Sequence, residues 1–244
     1  MLTVLYYIFT IIHTTILCIL SALCLLFTYP FQKSRYWVHC LSRYMTWLFF
    51  WIPGIRRKIE GLENIDKNKS YVIVLNHTSG VDILAAYKIP LNFRWVSKRE
   101  VFKTPFFGVM LLIHGDIPIE RGNASAAMAK VVGDGKLWLS RGASVAIFPE
   151  GTRSKSGEIR RFKAGAFTLA KEAGVEILPV VMNGTGATLK GWMMNWGHNI
   201  GIRVLKPISA EEVAATDVKD MMQKVQEQMT EALADLREDM KGLK

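Results

Sequence analysis

Cysteine is nearly absent: Cys18, Cys24 and Cys40 are the only three in 244 residues. They form neither a disulfide framework nor a Cys-built metal site, and they read as apolar packing, consistent with a reducing environment. The five histidines show no HExxH or Cys-pair spacing, which removes the common zinc signatures. No Walker A stretch occurs, and the isolated pairs Gly133 with Gly135 and Gly184 with Gly186 do not make a dinucleotide fingerprint. No cofactor is expected. Internal repeats and low-complexity linkers are lacking too, so a single domain with an attached N-terminal segment is the natural partition.

Charge is missing from one place in particular. Leu2 to Thr28 contains no Lys, Arg, Asp or Glu. As a helix it would run roughly 40 Å at about 1.5 Å per residue, against a hydrocarbon core of about 30 Å. It reads as a membrane segment. A cleaved leader fits poorly, because no basic residue precedes the apolar run and the run exceeds the usual leader core. A second apolar stretch, Tyr36 to Ile52, carries Trp37, Tyr44, Trp47 and Trp51 with a single charge at Arg43. Pro30, Lys33 and Arg35 separate the two, and Arg56, Arg57 and Lys58 follow. A double span would place Lys33 and Arg35 opposite that basic triplet, against the positive-inside tendency, whereas a hairpin dipping into one leaflet keeps all these charges on one side. Residues 1–55 are therefore expected to be a membrane-anchoring helical hairpin, with the remaining domain, 56–244, at the cytoplasmic face of the cell inner membrane.

What is present is half hydrophobic composition (50%), a mean hydropathy of +0.17 and 31 Lys plus Arg against 21 Asp plus Glu, a net charge of +10. That excess favours an anionic partner: acidic headgroups, an acidic carrier protein or nucleic acid. Nucleic acid would explain the charge and leave the anchor unexplained, so no nucleic-acid partner is expected.

From Arg56 onward, short apolar runs alternate with helical stretches. Strands are predicted at Lys58, Tyr71–Leu75, Phe93–Ser97, Asp116–Glu120, Ser144–Phe148, Ile177–Met182 and Gly201–Leu205. Helices are predicted at Ile83–Lys88, Pro105–Ile113, Ala124–Ser140 and Ala164–Ala173, with a solvated amphipathic helix over Asp217–Met240. This alternation predicts an α/β domain, a mixed, largely parallel sheet of about seven strands flanked by helices, preceded by the apolar two-helix membrane motif.

Two segments carry the chemistry. In NHTSGVD, His77 and Asp82 follow the apolar run YVIVL, and ligand sites favour the C-terminal edge of such a strand. In an unbroken helix, residues five apart point about 140° away from each other. A strand-turn-helix bend at Gly80 lets them meet, so Asp82 can orient one imidazole nitrogen and leave the other to take a proton. The same letters also fit a loop-capping histidine and an aspartate at a helix start. In FPEGTRS, Gly151 permits a tight turn whose amides can face an anion, Arg153 supplies a permanently charged fork suited to phosphate, and Glu150 can hold an arginine or a substrate hydroxyl. A structural turn with a surface ion pair is the alternative. Arg160, Arg161 and Lys163 just beyond fit donor phosphates, an acidic carrier or a lipid surface. Trp192, Met193, Met194 and Trp196 fit an acyl chain, the bilayer interface or plain core.

The chain resembles the glycerolipid acyltransferase family, most closely its 1-acyl-sn-glycerol-3-phosphate acyltransferases. Four blocks appear in the family's order between Glu60 and Leu205: His77–Asp82, Lys98–Arg121 ending in GDIPIER, FPEGTRS, and ILPVV around Pro179. The resemblance implies His77 as catalytic base, Asp82 as its orienting partner, and Arg121 and Arg153 as ligands of the acceptor phosphate. It implies that Glu150 and Gly151 shape the acceptor site. Lys98 and Lys163 are candidates for oxyanion or donor contacts. The chain departs from the family at Thr78, often Gln, and at Glu120, often Asp.

The expected reaction moves a fatty acyl group from acyl-CoA or acyl carrier protein to the 2-hydroxyl of lysophosphatidic acid, forming phosphatidic acid for phospholipid synthesis. Ser79 lies beside the base without the GxSxG elbow of serine hydrolases, so no acyl-enzyme is expected. Glycerol 3-phosphate or another lysolipid as acceptor, a lipid hydrolase or transacylase, and a non-enzymatic lipid or carrier binder remain the alternatives.

Overall fold

The computed structural model describes residues 1–105, 107–120 and 122–242. Two antiparallel apolar helices come first, α1 (Leu2–Thr28) and α2 (Tyr36–Trp51). They touch along their length, from the Tyr6 hydroxyl donating to the Phe49 carbonyl (2.7 Å) to Thr14 beside Met45. By length and composition α1 suffices to cross a membrane, and only 11% of its most apolar window is buried.

The domain that follows is built on β1 (Arg56–Glu60), β2 (Val72–Leu75), β3 (Phe93–Lys98), β4 (Ile117–Ile119), β5 (Ser144–Ile147), β6 (Ile177–Asn183) and, after a small two-stranded ribbon of β7 (Leu189–Lys190) and β8 (Met193–Met194), β9 (Asn199–Val204). The main sheet has seven strands in the order β1-β9-β6-β2-β5-β3-β4. β6, β2, β5, β3 and β4 run parallel, and β9 turns antiparallel to β6 with β1 beside it. The predicted mixed, largely parallel sheet is what forms. The ribbon and a short helix α7 (Ala210–Ala215) are additions that the sequence pattern did not announce.

Both faces of the sheet are covered, which is why YVIVL reads as one continuous apolar run. Ile73 and Leu75 point into a core shared with Tyr6 and Phe50 of the hairpin, while Val72 and Val74 point into a second core. That second core is closed by α5 (Ala124–Ser140), α6 (Gly165–Ala173) and α8 (Val218–Lys241). The helix α8 is less solvated than its charges suggest. Met221, Val225, Met229 and Leu233, four apart and therefore on one face, are all buried in that core.

The hairpin is joined to the domain by polar contacts as well. His114, at the end of α4 (Phe107–His114), donates from Nδ1 to Asp116 (2.7 Å), and its Nε2 faces His39 Nδ1 of α2 at 3.0 Å and the Arg94 guanidinium at 3.2 Å. Burial lowers the proton affinity of His114. Asp116 also accepts the Trp95 backbone N–H (2.8 Å), which ties this junction to β3.

At the end of β2 the chain is clamped to β6. The buried Asn76 amide donates to the Met182 carbonyl (2.9 Å) and accepts from the Met182 N–H (2.7 Å). Replacing Asn76 with Ala strands two buried backbone groups at about 1–3 kcal/mol each. We expect Asn76→Ala to cost about 2–4 kcal/mol. It should lower the thermal unfolding midpoint of the detergent-solubilised protein, whereas an unchanged midpoint would mean that the clamp is dispensable.

Candidate active site

The edge formed by the C-terminal ends of β2, β5, β3 and β6 gathers the polar motifs. His77 leaves β2 just as the strand ends, and Gly80 turns the chain into α3 (Val81–Ala85), which places Asp82 in its first turn. The bend brings the two side chains together: His77 Nδ1 lies 2.9 Å from Asp82 Oδ2. The same oxygen accepts the backbone N–H groups of Thr78 (2.7 Å) and Ser79 (2.8 Å). An acceptor surrounded by donors fixes the tautomer, with the proton on Nδ1 and the Nε2 lone pair free.

The imidazole is held flat as well as turned. Its ring stacks on Phe148 at 3.9 Å and 13°, and Phe148 stacks on Trp95 at 4.9 Å and 14°.

Glu150, buried beneath the turn that follows β5, is used structurally. Its Oε1 accepts the His77 backbone N–H (2.8 Å) and its Oε2 accepts that of Arg160 (3.1 Å). Burial raises the carboxyl pKa, opposed by these hydrogen bonds. In return the Ser154 N–H donates to the His77 carbonyl (2.7 Å), so the two motifs are laced together through backbone. Gly151 sits at φ +70, and a Cβ there would lie 2.9 Å from Lys163 Nζ. The positive φ favours glycine, whereas the end of the Lys163 side chain can move aside. The Gly151 N–H is occupied by the Phe148 carbonyl (3.0 Å), so it does not serve as the free anion donor that the motif suggested.

Arg153 is exposed, with Nη2 packed against Gly80, 3.3 Å from where a Cβ would stand. It has no hydrogen-bond or ion-pair partner among the described residues. Lys98 lies at the rim, paired with Glu100 at 3.4 Å. Glu120, one of the departures from the family pattern, pairs with Arg99. Arg121 lies outside the described residues.

These groups open onto a cavity of about 690 Å³. His77, Lys98, Arg153 and Lys163 stand along it, and behind them its wall is apolar, with Val96, Phe107, Leu111, Ile119, Met128 and Val131 among the lining residues. No group of three or more His, Cys, Asp or Glu suited to a metal ion occurs among the described residues.

One partner of the pair was not readable from either motif. Thr185, fully buried just after β6, donates its hydroxyl to Asp82 Oδ1 and lies 3.1 Å from the Thr78 hydroxyl. Thr78 therefore stands in a hydroxyl pair. The available signal was the Asn-Gly-Thr stretch closing the strand ILPVVM, beside the strand that carries His77.

The family model described as Acyltransferase matches residues 56–183. A 1-acyl-sn-glycerol-3-phosphate acyltransferase of Pseudomonas aeruginosa is 31% identical over 210 residues, 85% of this chain and 80% of that protein. The chloroplastic 1-acyl-sn-glycerol-3-phosphate acyltransferase LPAT1 of Arabidopsis thaliana is 36% identical over 160 residues, 64% of this chain, and the match spans less than half (44%) of that protein. The crystal structure of the 1-acyl-sn-glycerophosphate (LPA) acyltransferase PlsC from Thermotoga maritima superposes with a TM-score of 0.73 at 20% identity, covering 96% of this chain and 97% of that one, and shows a shared fold.

The Thr185 hydroxyl gives a sharp prediction. Thr185→Val keeps the volume and deletes the donor, and a hydrogen bond to a charged group is worth about 1.5–3 kcal/mol. Turnover should fall roughly 10- to 100-fold, and Thr185→Ser should recover most of it. Steady-state kinetics that leave the Val variant at full turnover would remove Thr185 from the orienting set.

Proposed function

Because the chain belongs to the acyltransferase family, we propose that it transfers a fatty acyl group from a thioester donor to the 2-hydroxyl of 1-acyl-sn-glycerol 3-phosphate, forming phosphatidic acid. The observation that carries this reading is the combination at one cavity of an imidazole with its tautomer fixed by a carboxylate, a guanidinium that has no partner among the described residues, and an apolar wall behind them.

Each part has a task. His77 Nε2 accepts the proton of the acceptor hydroxyl as that oxygen attacks the thioester carbonyl, and the imidazolium that forms is stabilised by Asp82. Collapse of the tetrahedral species expels the thiolate, which takes up the proton. The ester forms without an acyl-enzyme, because a thioester is already activated and Ser79 Oγ caps the Val81 N–H (3.2 Å). Arg153 binds the acceptor phosphate as a charged fork, with Arg121 as its expected companion, and Glu150 and Gly151 shape this region from below and beside it. Lys98 and Lys163 at the rim serve the oxyanion or the phosphates of the donor, which is acyl-CoA or acyl carrier protein. The apolar wall receives an acyl chain.

The helices α1 and α2 bring this cleft to its lipid substrate. Their exposed apolar surface, with Trp37, Tyr44, Trp47 and Trp51 on α2, suits a hairpin seated in one leaflet, with the domain at the cytoplasmic face of the inner membrane.

The test is thiol release from palmitoyl-CoA and palmitoyl carrier protein by purified, detergent-solubilised enzyme, with lysophosphatidic acid, glycerol 3-phosphate, lysophosphatidylcholine or no acceptor. Release should require lysophosphatidic acid, and release without any acceptor would instead identify a thioesterase. Arg153→Ala should lower kcat/KM for lysophosphatidic acid by the equivalent of about 2–4 kcal/mol and leave a phosphate-free acceptor much less affected. Equal losses on both would make Arg153 a structural residue.

A further inference from the structure

Outside the hairpin, four of the eight exposed large apolar side chains among the described residues gather at one place, while Leu62, Val109, Leu112 and Leu137 lie elsewhere. Trp192 is 64% exposed, Met193 54%, Trp196 41% and Leu189 37%. All four belong to the β7–β8 ribbon or its immediate continuation, whose tight connection runs through Gly191 at φ +63. We propose that this ribbon is a second lipid-contacting element, which seats Trp192 and Met193 in the headgroup and acyl boundary of an anionic bilayer beside the start of α1. The proposal rests on the membrane reading of α1 and α2.

The ribbon is fastened to that hairpin at both of its ends. The Tyr7 hydroxyl of α1 donates to the Trp192 carbonyl (2.6 Å), the Tyr6 ring meets Trp196 at 5.9 Å, and the Gly197 N–H donates to the Pro53 carbonyl just beyond α2 (2.8 Å). On α1, Tyr7 shares its face with Val4 and Ile11, which are three and four positions away and both exposed. The exposed apolar side chains of this helix face therefore lie near the ribbon.

Composition selects the occupant. From Ile177 to Ala210 there is no Asp or Glu, while Lys190 stands at the ribbon's edge and Arg56 is exposed where β1 pairs with β9. Tryptophan with a nearby lysine suits the boundary of an anionic bilayer. A second copy of the chain fits poorly, since four side chains fall well short of the roughly 800 Å² per partner of a standard interface. The ribbon begins four residues after Thr185, whose hydroxyl holds Asp82. Seating it in lipid fixes the height of the cleft above the bilayer.

The experiment uses the full-length chain with Cys18, Cys24 and Cys40 changed to Ser and one cysteine introduced for an environment-sensitive nitrobenzoxadiazole label. Met193→Cys reports the ribbon, Ile12→Cys reports α1, and Glu231→Cys on the exposed side of α8 reports water. Each is reconstituted with phosphatidylcholine vesicles containing phosphatidylglycerol, with and without nitroxide-bearing lipid. The labels at 193 and 12 should shift to the blue and be quenched by the nitroxide, and the label at 231 should do neither. Quenching at 12 with a 193 label that behaves like the one at 231 overturns this proposal and leaves the membrane reading standing. Absence of quenching at both 12 and 193 overturns both.

Discussion

Asp82 collects donors from two segments: the loop after β2, through the His77 ring and the Thr78 and Ser79 backbone, and the Thr185 hydroxyl from 103 residues away. A carboxylate buried this deeply is tolerable only when its oxygens are satisfied. Meeting that requirement draws the loop after β2, the start of α3 and the end of β6 to a single point. The Asn76 clamp on Met182 serves the same end, since it fixes the spacing between the two strands that supply the donors. The orientation of His77 is then a consequence of solvating Asp82 within the fold.

A second arrangement divides the cleft between opposite chemistries. Glu150 is spent beneath the floor on two backbone amides and forms no ion pair with Arg153 or Lys163. Arg153 and Lys163 line the cavity beside a wall of aliphatic and aromatic side chains. A phosphate and an acyl chain on one molecule require this division. The hairpin and the aromatic ribbon present further exposed apolar side chains on the outside of the protein.

Much of this was legible in the chain because local pattern and global fold agree. YVIVL reads as a doubly buried strand because both faces are covered, and His77 with Asp82 could be paired once Gly80 was read as a bend. The charge-free stretch to Thr28 announced α1 by composition alone. Other features were hidden for physical reasons. Thr185 and Asp82 are brought together by parallel strand neighbours, a pairing that the Asn-Gly-Thr stretch after ILPVVM does not announce by itself. The part Glu150 plays in holding backbone was hidden, because its burial and its bonds to the His77 and Arg160 N–H groups depend on the tertiary turn. The ribbon's two-residue strands are too short for periodicity to show, and α8 looked solvated because its charges outnumber the single stripe it buries.

The central claim is that His77, held by Asp82, removes the proton in the acyl-transfer step. It is tested most directly by measuring lysophosphatidic acid-dependent thiol release in His77→Ala, with circular dichroism and the thermal midpoint establishing that the protein is folded. The account predicts a turnover loss of at least about 10²- to 10⁴-fold with acceptor KM little changed. Turnover within a few-fold of the parent in a folded His77→Ala protein would contradict it.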